Sequence, residues 1–274
     1  MFYVFSLKNI LKNLTIYSIL GISIYSIFSY LISINTKDDI YTSNINKYYI
    51  ALIIDDFGYS GEGTNEMINL PINFTGAVMP FSASSLEDSE KLTEAGKDII
   101  IHLPMESLTG SKNWIGDKGI FLNMSDEQIK NTVNDAFDIL KDAKGINNHM
   151  GSAIMEDKRA LTPIIQAIKD RNLLFVDSVT TPNSKAEEIC ANIGIKCIKR
   201  DVFLDSTDDI NKIKENLLKA EKIANEKGFA VAIGHVGPDG GFVTVNAIKD
   251  LYKEMERRGV EFVTISELSN ILSN

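Results

Sequence analysis

The chain has 274 residues, of which 44% are hydrophobic, and its formal net charge at pH 7 is -9. Binding to the phosphates of a nucleic acid needs a basic face, so this charge argues against a nucleic-acid partner. The same charge disfavours electrostatic adhesion to anionic lipid. Any contact with a membrane must therefore come from apolar sequence.

The N-terminal segment of the chain is apolar. Residues 13–36 carry no charge, and Lys8 and Lys12 precede them. About twenty apolar residues are enough to cross a bilayer as a helix, and lysines before such a span favour a cytoplasmic N-terminus. We therefore predict a membrane anchor within residues 1–36 and place the rest of the chain outside the cytoplasm, in the cell envelope. A cleaved signal peptide, which would make the protein secreted, is one alternative, and a buried helix is another.

A polar linker is predicted at residues 37–48, followed by one domain of ordinary size at residues 49–274. In this domain short β-rich runs alternate with helical patterns. The predicted strands are 49–54, 74–79, 98–102, 145–149, 173–177, 195–198, 229–234 and 261–264, and the predicted helices are 84–95, 125–143, 157–171, 184–192, 208–227, 243–258 and 266–272. Strands that alternate with helices pair in parallel. Seven or eight such units favour an α/β fold of the (β/α) barrel type, closed or nearly closed, over an open sheet.

Local signals mark several helix boundaries. Ser125 and Gln128 have the spacing of a capping box at a helix start. Five glycines each stand between a predicted helix and the next strand, where a left-handed C-cap favours glycine. They are Gly96, Gly145, Gly194, Gly228 and Gly259.

Two further features leave alternatives open. The irregular stretch 103–124 contains the only tryptophan, Trp114, which could stack on a sugar ring or pack beneath its loop. Cys190 and Cys197 are predicted at a helix end and in the next strand. An exported chain permits a disulfide, but the predicted separation favours two buried free thiols.

All three histidines of the chain stand where a predicted strand ends. His102 follows one apolar run, His235 ends another, and a further run ends at Asp55 and Asp56, whereas His149 ends the predicted strand 145–149 among small and polar residues. In α/β folds the carboxyl ends of strands are where sites are built. The pattern therefore predicts that these side chains share one site.

Two imidazoles and a carboxylate form a standard ligand set for a divalent metal, and three protein ligands leave a position open for chemistry. We predict Asp56, His102 and His149 as the ligands, with Glu106 as a reserve ligand or a supporting group. A turn-forming aspartate pair and hydrogen-bonded histidines are the alternative. His235 suits proton delivery because the pKa of histidine lies near neutrality, although it could also be a fourth ligand or a structural residue.

Five segments of the domain, in chain order, resemble motifs of the divergent polysaccharide deacetylases, a remote branch of the NodB-type carbohydrate esterases. The segments are 55–59, 102–106, 148–152, 175–178 and 234–238. The resemblance implies a distorted, NodB-like (β/α) barrel of about seven strands. It implies a metal-dependent hydrolase, typically with zinc, that removes acetyl groups from N-acetylated sugars. It also implies that Asp55 is the base, that Asp56 binds the metal and that His235 is the general acid.

The sequence departs from the NodB pattern at two points. Glu106 stands where that pattern has its second metal histidine, so His149 is the available replacement, and the Arg-x-Pro-Tyr motif is absent. We therefore expect an envelope hydrolase acting on a polysaccharide or peptidoglycan-like glycan. The alternatives are a non-catalytic module that binds a glycan or an envelope partner on the same barrel, and a different metal hydrolase such as an esterase or phosphodiesterase.

Overall fold

The computed structural model describes residues 21, 23–30, 47–110, 115 and 118–273. The chain divides into two compact units, Met1–Asn46 and Lys47–Asn274. In the first unit, residues 21 and 23–30 are helical, and large side chains such as Ile24 and Phe28 are exposed. Among the described residues, no helix is both long and apolar enough to span a membrane. Most of the predicted anchor, the predicted linker up to residue 46, and Trp114 lie outside the described residues.

The second unit is a parallel α/β half-barrel. Its strands are β1 Tyr48–Phe57, β2 Thr75–Val78, β3 Asp98–Met105, β4 Gly145–Met150, β5 Leu174–Asp177, β6 Cys197–Lys199, β7 Val202–Phe203, β8 Phe229–His235 and β9 Val260–Val263. They pair in the order β6-β5-β4-β3-β2-β1-β8-β7, and β9 pairs with the first half of β1. Within the described residues, β6 and β7 end this order and do not pair with each other, so the barrel is open between them.

The helices flank the strands along the chain. They are α1 Thr64–Ile68, α2 Ser85–Glu94, α3 Asp126–Ile139, α4 Ser152–Glu156, α5 Lys158–Asp170, α6 Ala186–Ile193, α7 Ile210–Lys227, α8 Gly241–Arg258 and α9 Ile265–Ile271, and a 3₁₀ turn covers Gly237–Asp239. Buried residues of the longer helices share one large apolar cluster with alternate residues of the strands. That cluster is the layer between the helices and the sheet.

A second, smaller cluster fills the interior of the half-barrel. It contains Ala51 and Ile53 of β1, Ile100 of β3 and Ile233 of β8, and α9 contributes Ile265 and Leu268. Both faces of the strands are therefore buried, and this explains why they are almost continuous apolar runs. Because side chains alternate along a strand, the interior rows continue to Asp55, His102 and His235 at the carboxyl ends of these strands.

The parallel α/β architecture was predicted correctly from the sequence, and each of the eight predicted strands is present. The total number of strands was not predicted correctly. The described residues form nine strands, because the two-residue β7 lies between two predicted elements. The five-residue helices α1 and α4 were not predicted either, and the reason in each case is their short length. A strand of two residues, or a helix of little more than one turn, is too short to show a hydrophobic period.

The boundary glycines fall into two kinds. Gly194, Gly228 and Gly259 are left-handed C-caps, and Ser125 forms the predicted capping box with Gln128. Gly145 is different, because it is the first residue of β4 and has no positive φ. A Cβ atom there would lie 2.3 Å from the carbonyl oxygen of Leu174, so this glycine permits the close approach of β4 and β5.

The two cysteines are free thiols at the junction of α6 and β6. Cys190 is buried, as predicted from the sequence, whereas Cys197 is partly exposed. A hydrogen bond with the neighbouring Cys190 thiol, together with burial, raises the pKa of Cys197 above its ordinary value. Cys197 is consequently protonated at neutral pH.

Candidate metal centre

Three electron-rich atoms meet where β1, β3 and β4 end. Asp56 Oδ1 lies 3.3 Å from His102 Nε2 and 3.2 Å from His149 Nδ1, and the two histidine nitrogens are 3.0 Å apart. This trio is the one cluster of metal-binding side chains among the described residues. The structure thus brings together the three ligands predicted from the sequence.

The trio fits a small divalent cation. Ligand atoms around a tetrahedral zinc ion with bonds of 2.0–2.1 Å lie about 3.3 Å from one another, close to the separations seen here. Asp56 Oδ1 is buried and has no hydrogen-bond partner, a costly state unless a cation or a proton satisfies it. Burial by itself would raise the pKa of Asp56, but His102 and His149 outweigh burial and hold that pKa well below its usual range.

A bulge in β1 places both aspartates in the site. Ile54 pairs with Gly76 and Phe57 with Val78, so two residues of β1 stand opposite one residue of β2. Asp56 has a left-handed backbone with φ 68°. Both carboxylates lie within 4 Å of His102, Asp55 at the Nδ1 atom of the ring and Asp56 at its Nε2 atom. Bulges next to active sites commonly redirect a side chain in this way.

Asn147 joins His102, one of the three predicted ligands, to the buried Asp55. Its side-chain oxygen lies 2.8 Å from His102 Nδ1, and its amide nitrogen donates to Asp55 Oδ1 at 2.8 Å. With the amide oriented in this way, His102 Nδ1 carries the proton and His102 Nε2 offers its lone pair to the trio. Asn147 is fully buried, and its backbone is the register partner of His102.

Asp55 is a buried carboxylate on the inner side of the site, with only 2% of its surface exposed. Its Oδ2 lies 3.7 Å from His102 Nδ1 and 4.0 Å from His235 Nε2. Burial raises the pKa of Asp55, and Asp56 adds to this rise against the opposing effects of His102 and His235. A raised pKa makes its ionised carboxylate a stronger proton acceptor.

His235 stands across from Asp55 as its register partner. Its Nδ1 donates to Asp205 Oδ1 at 2.8 Å, and Asp205 Oδ2 accepts from the backbone N–H of His235 and from Thr244 Oγ1. Burial alone would lower the pKa of His235, but the hydrogen bond and charge of Asp205, with Asp55 and Asp56, raise that pKa to about 9. His235 is therefore an imidazolium at neutral pH, with Nε2 on the side of Asp55.

The strand ends around the site have unusual backbone geometry. Met150 after His149 and Val179 after β5 have φ angles of 53° and 52°. A positive φ is costly for a β-branched residue such as Val179. The Val179 carbonyl accepts a hydrogen bond from Arg200, and the arginine side chain lies over Phe203, which packs against His235. Such geometry clusters at functional sites.

Glu106, the reserve ligand, is not part of the trio. Its Oε2 accepts a hydrogen bond from the backbone N–H of Leu122 at 2.7 Å, so it ties the last part of the irregular stretch 103–124 to the end of β3. The strand β3 runs on to Met105, and Glu106 comes after the strand end. The second histidine of the site is supplied by β4 instead.

A cleft of about 1090 Å³ opens onto the trio. Asp56 and His149 form its inner wall, and its other walls come from the loops that follow β1, β7 and β8. Tyr59, which is 55% exposed, lies on one wall. We call this space the acidic cleft because four carboxylates line it; they are Asp56, Glu62, Asp208 and Asp239.

Comparison with known proteins assigns the family. The model of the family described as "Divergent polysaccharide deacetylase" matches residues 52–269, nearly all of the second unit. The chain belongs to the divergent polysaccharide deacetylase family. An uncharacterized protein of Haemophilus influenzae is 31% identical over 77% of this chain and 75% of its own length. The uncharacterized protein YibQ of Escherichia coli is 35% identical over 69% of this chain and 59% of its own length.

Solved structures share the fold of this divergent polysaccharide deacetylase. An uncharacterized protein from Agrobacterium tumefaciens C58 superposes with a TM-score of 0.73 at 22% identity, covering 82% of this chain and 90% of that one. A peptidoglycan N-acetylglucosamine deacetylase superposes with a TM-score of 0.51 at 16% identity, covering 81% of this chain and 88% of that one. At these identities the likeness is one of fold.

Two side chains of the site in this divergent polysaccharide deacetylase were not predicted from the sequence. Asn147 stands two residues before His149 in a predicted strand, and strand alternation could have placed both on the inner face. Asp205 follows β7, a strand too short to be detected from hydrophobic pattern, so no sequence signal pointed to it. Without Asp205 the protonation of His235 could not be predicted.

Proposed function

We propose that this protein is a metal-dependent hydrolase that removes acetyl groups from N-acetylated sugars of a polysaccharide. One observation carries the proposal: the trio Asp56, His102 and His149 lies beside a buried carboxylate, Asp55, and the Asp55 Oδ2 atom is 4.0 Å from Nε2 of a protonated histidine, His235. Membership of the divergent polysaccharide deacetylase family supports the reaction class.

The trio would hold the metal, and zinc is the metal that we propose. When bound, zinc lowers the pKa of water to near neutrality and polarises a carbonyl oxygen. Asn147 fixes the ring orientation of one ligand, His102. The open side of the trio faces the acidic cleft, and the acetamide group would enter from there.

Asp55 and His235 would divide the proton transfers. Hydrolysis adds water to the acetamide carbonyl and breaks its C–N bond, which releases acetate and leaves an amine on the sugar. Asp55 accepts the proton that the attacking water loses, and the amide of Asn147 orients its carboxylate. His235 donates the proton that the leaving nitrogen needs, because Asp205 keeps it protonated.

We further propose that the protein works in the cell envelope on a polysaccharide or peptidoglycan-like glycan. The uncharged residues 13–36, preceded by two lysines, support a membrane anchor with the hydrolase unit outside the cytoplasm. Fractionation of cells expressing the full chain would test this. Membrane recovery agrees with the anchor, recovery from the medium indicates a cleaved signal peptide, and cytosolic recovery contradicts both.

Acetate release by the purified full chain tests the reaction. We expect metal-stripped protein to be inactive on an N-acetylglucosamine hexamer and zinc to restore release. Asp55→Asn should lower kcat by about 100-fold or more. Asp138→Asn, the same change on the exposed face of α3, is the matched control and should behave as the parent.

A non-catalytic glycan-binding protein would give a different result. It would bind the hexamer with or without zinc, release no acetate, and keep its affinity after Asp55→Asn. A metal esterase or phosphodiesterase would instead turn over ester or phosphodiester substrates while leaving the acetamide intact. Either result would overturn the deacetylase proposal.

A further inference from the structure

The charged side chains that line the acidic cleft are negative. Glu62, Asp208 and Asp239 line it beyond the trio, and no lysine or arginine occurs among the described residues of its lining. These three side chains belong to the loops after β1, β7 and β8 and are exposed to solvent. Three separate loops thus present negative charge to the same space.

The cleft is also the entrance to the reaction centre. Asp56 lies on its inner wall, and the buried Oδ1 of that residue lacks a hydrogen-bond partner. Tyr59 supplies an exposed aromatic face on another wall, and a sugar ring can pack on such a face. A volume of about 1090 Å³ is ample for more than one small ligand group. Sugars next to a reacting unit at the trio would therefore lie against the carboxylates.

We infer that the substrate is a glycan that already carries free amino groups beside the acetamide to be cleaved, a cationic amino-sugar polymer, not an anionic glycan. This inference rests on the proposed deacetylation. Protonated amines on neighbouring sugars would pair with Glu62, Asp208 and Asp239, whereas carboxylated sugars would meet like charge. Because deacetylation produces amines, each round of reaction would make the glycan a better match to the acidic cleft for the next round.

The test compares three hexamers of equal length with the zinc-loaded full chain. One is fully N-acetylated, one has half of its amines free, and one has those amines converted to carboxylates by succinylation. We expect kcat/KM per acetyl group to be about threefold or more higher for the cationic hexamer than for the neutral one, and lowest for the anionic one. The differences in kcat/KM should shrink in 0.5 M salt, where the Debye length falls to about 4 Å.

Two pairs of substitutions distinguish an effect of the cleft carboxylates from an effect of the net charge of the protein. The double variant Asp208→Asn, Asp239→Asn should bring the ratio of cationic to neutral hexamer close to one. The control pair Asp138→Asn, Glu226→Gln removes the same charge from exposed positions on α3 and α7, and its ratio should equal that of the parent. Replacement of Asp208 and Asp239 by lysine should make the anionic hexamer the better substrate.

The inference and the reaction can fail separately. If the neutral hexamer is deacetylated but the cationic one gains no preference, or both double variants change the ratio equally, the inference is overturned and the reaction stands. If no hexamer releases acetate, the proposed reaction is wrong. The inference about a cationic glycan is then tested separately, by calorimetric measurement of the binding of the three hexamers to the Asp55→Asn chain. Tighter binding of the cationic hexamer supports the inference, and equal binding overturns it.

Discussion

Asp205 controls the protonation of His235 through one side chain. It accepts hydrogen bonds from the ring and the backbone of His235 and from Thr244, so its charge is held in place from three sides. The pKa of His235, about 9, lies above the ordinary histidine value of about 6.5. His235 is protonated below this pKa, and its ability to donate a proton is lost as the pH rises through it.

Asp205→Asn should move the alkaline limb of the pH profile. Without the charge of Asp205, the pKa of His235 falls toward neutrality, so kcat/KM should decline from about pH 7 and not from about pH 9. At pH 8 the loss would be about tenfold from protonation alone. The measurement is kcat/KM from pH 5 to 10 on the hexamer, with Asp138→Asn as the control. An unchanged alkaline limb would rule out His235 as the group that titrates there.

Two substitutions distinguish a proposed metal ligand, His102, from a nearby carboxylate outside the trio, Glu106. His102→Ala removes a nitrogen from the trio and leaves Asp56 with one imidazole, so zinc should be lost on dialysis. Glu106→Gln should retain zinc, because the Glu106 carboxylate accepts from Leu122 and lies outside the trio. Metal content per chain, measured by elemental analysis, checks both. Equal zinc in the two variants would contradict the assigned ligand set.

At the level of secondary structure, the strands that carry the site were the predictable ones. β1, β3 and β8 are buried on both faces, so each contains an apolar run that stops at a polar site residue: Asp55, His102 or His235. The sequence could not reveal the bulge in β1, since strand pairing with β2 produces it. It could not reveal β7 either, because two residues carry no period. Of the two side chains that were missed, Asp205 follows β7, whereas Asn147 lies in β4, a strand that was predicted.

Gly145 makes a prediction about the pairing of β4 and β5. Gly145→Ala places a methyl group 2.3 Å from the Leu174 carbonyl oxygen, so the strands must separate. We expect a loss of about 1–3 kcal/mol in the free energy of unfolding. Gly194→Ala meets no atom within 4 Å and should cost only about 1 kcal/mol for its left-handed backbone. Chemical denaturation of both variants gives the comparison, and a smaller loss for Gly145→Ala would contradict the steric argument.

At the scale of the whole molecule, the site joins strands that are far apart in sequence. Asp56, His102 and His149 come from three strands, so a metal bound by all three favours the folded chain. Free zinc at about 1,000 times its dissociation constant should stabilise the protein by about 4 kcal/mol. For a domain of this size that raises Tm by about 8–16 °C. His149→Ala should abolish most of the shift, and a shift of equal size in that variant would mean that zinc binds elsewhere.

The left-handed backbone of Asp56 limits how this sequence can vary. Asparagine and glycine tolerate a φ of 68° well, yet neither supplies the charged oxygen of the trio, so position 56 meets two demands that aspartate alone combines. Val179 is left-handed as well, with φ 52°, but its side chain is not a ligand. In a library selected for activity, position 56 should return only aspartate, whereas position 179 should accept glycine and asparagine. Recovery of diverse residues at position 56 would show that the bend in β1 is dispensable for function.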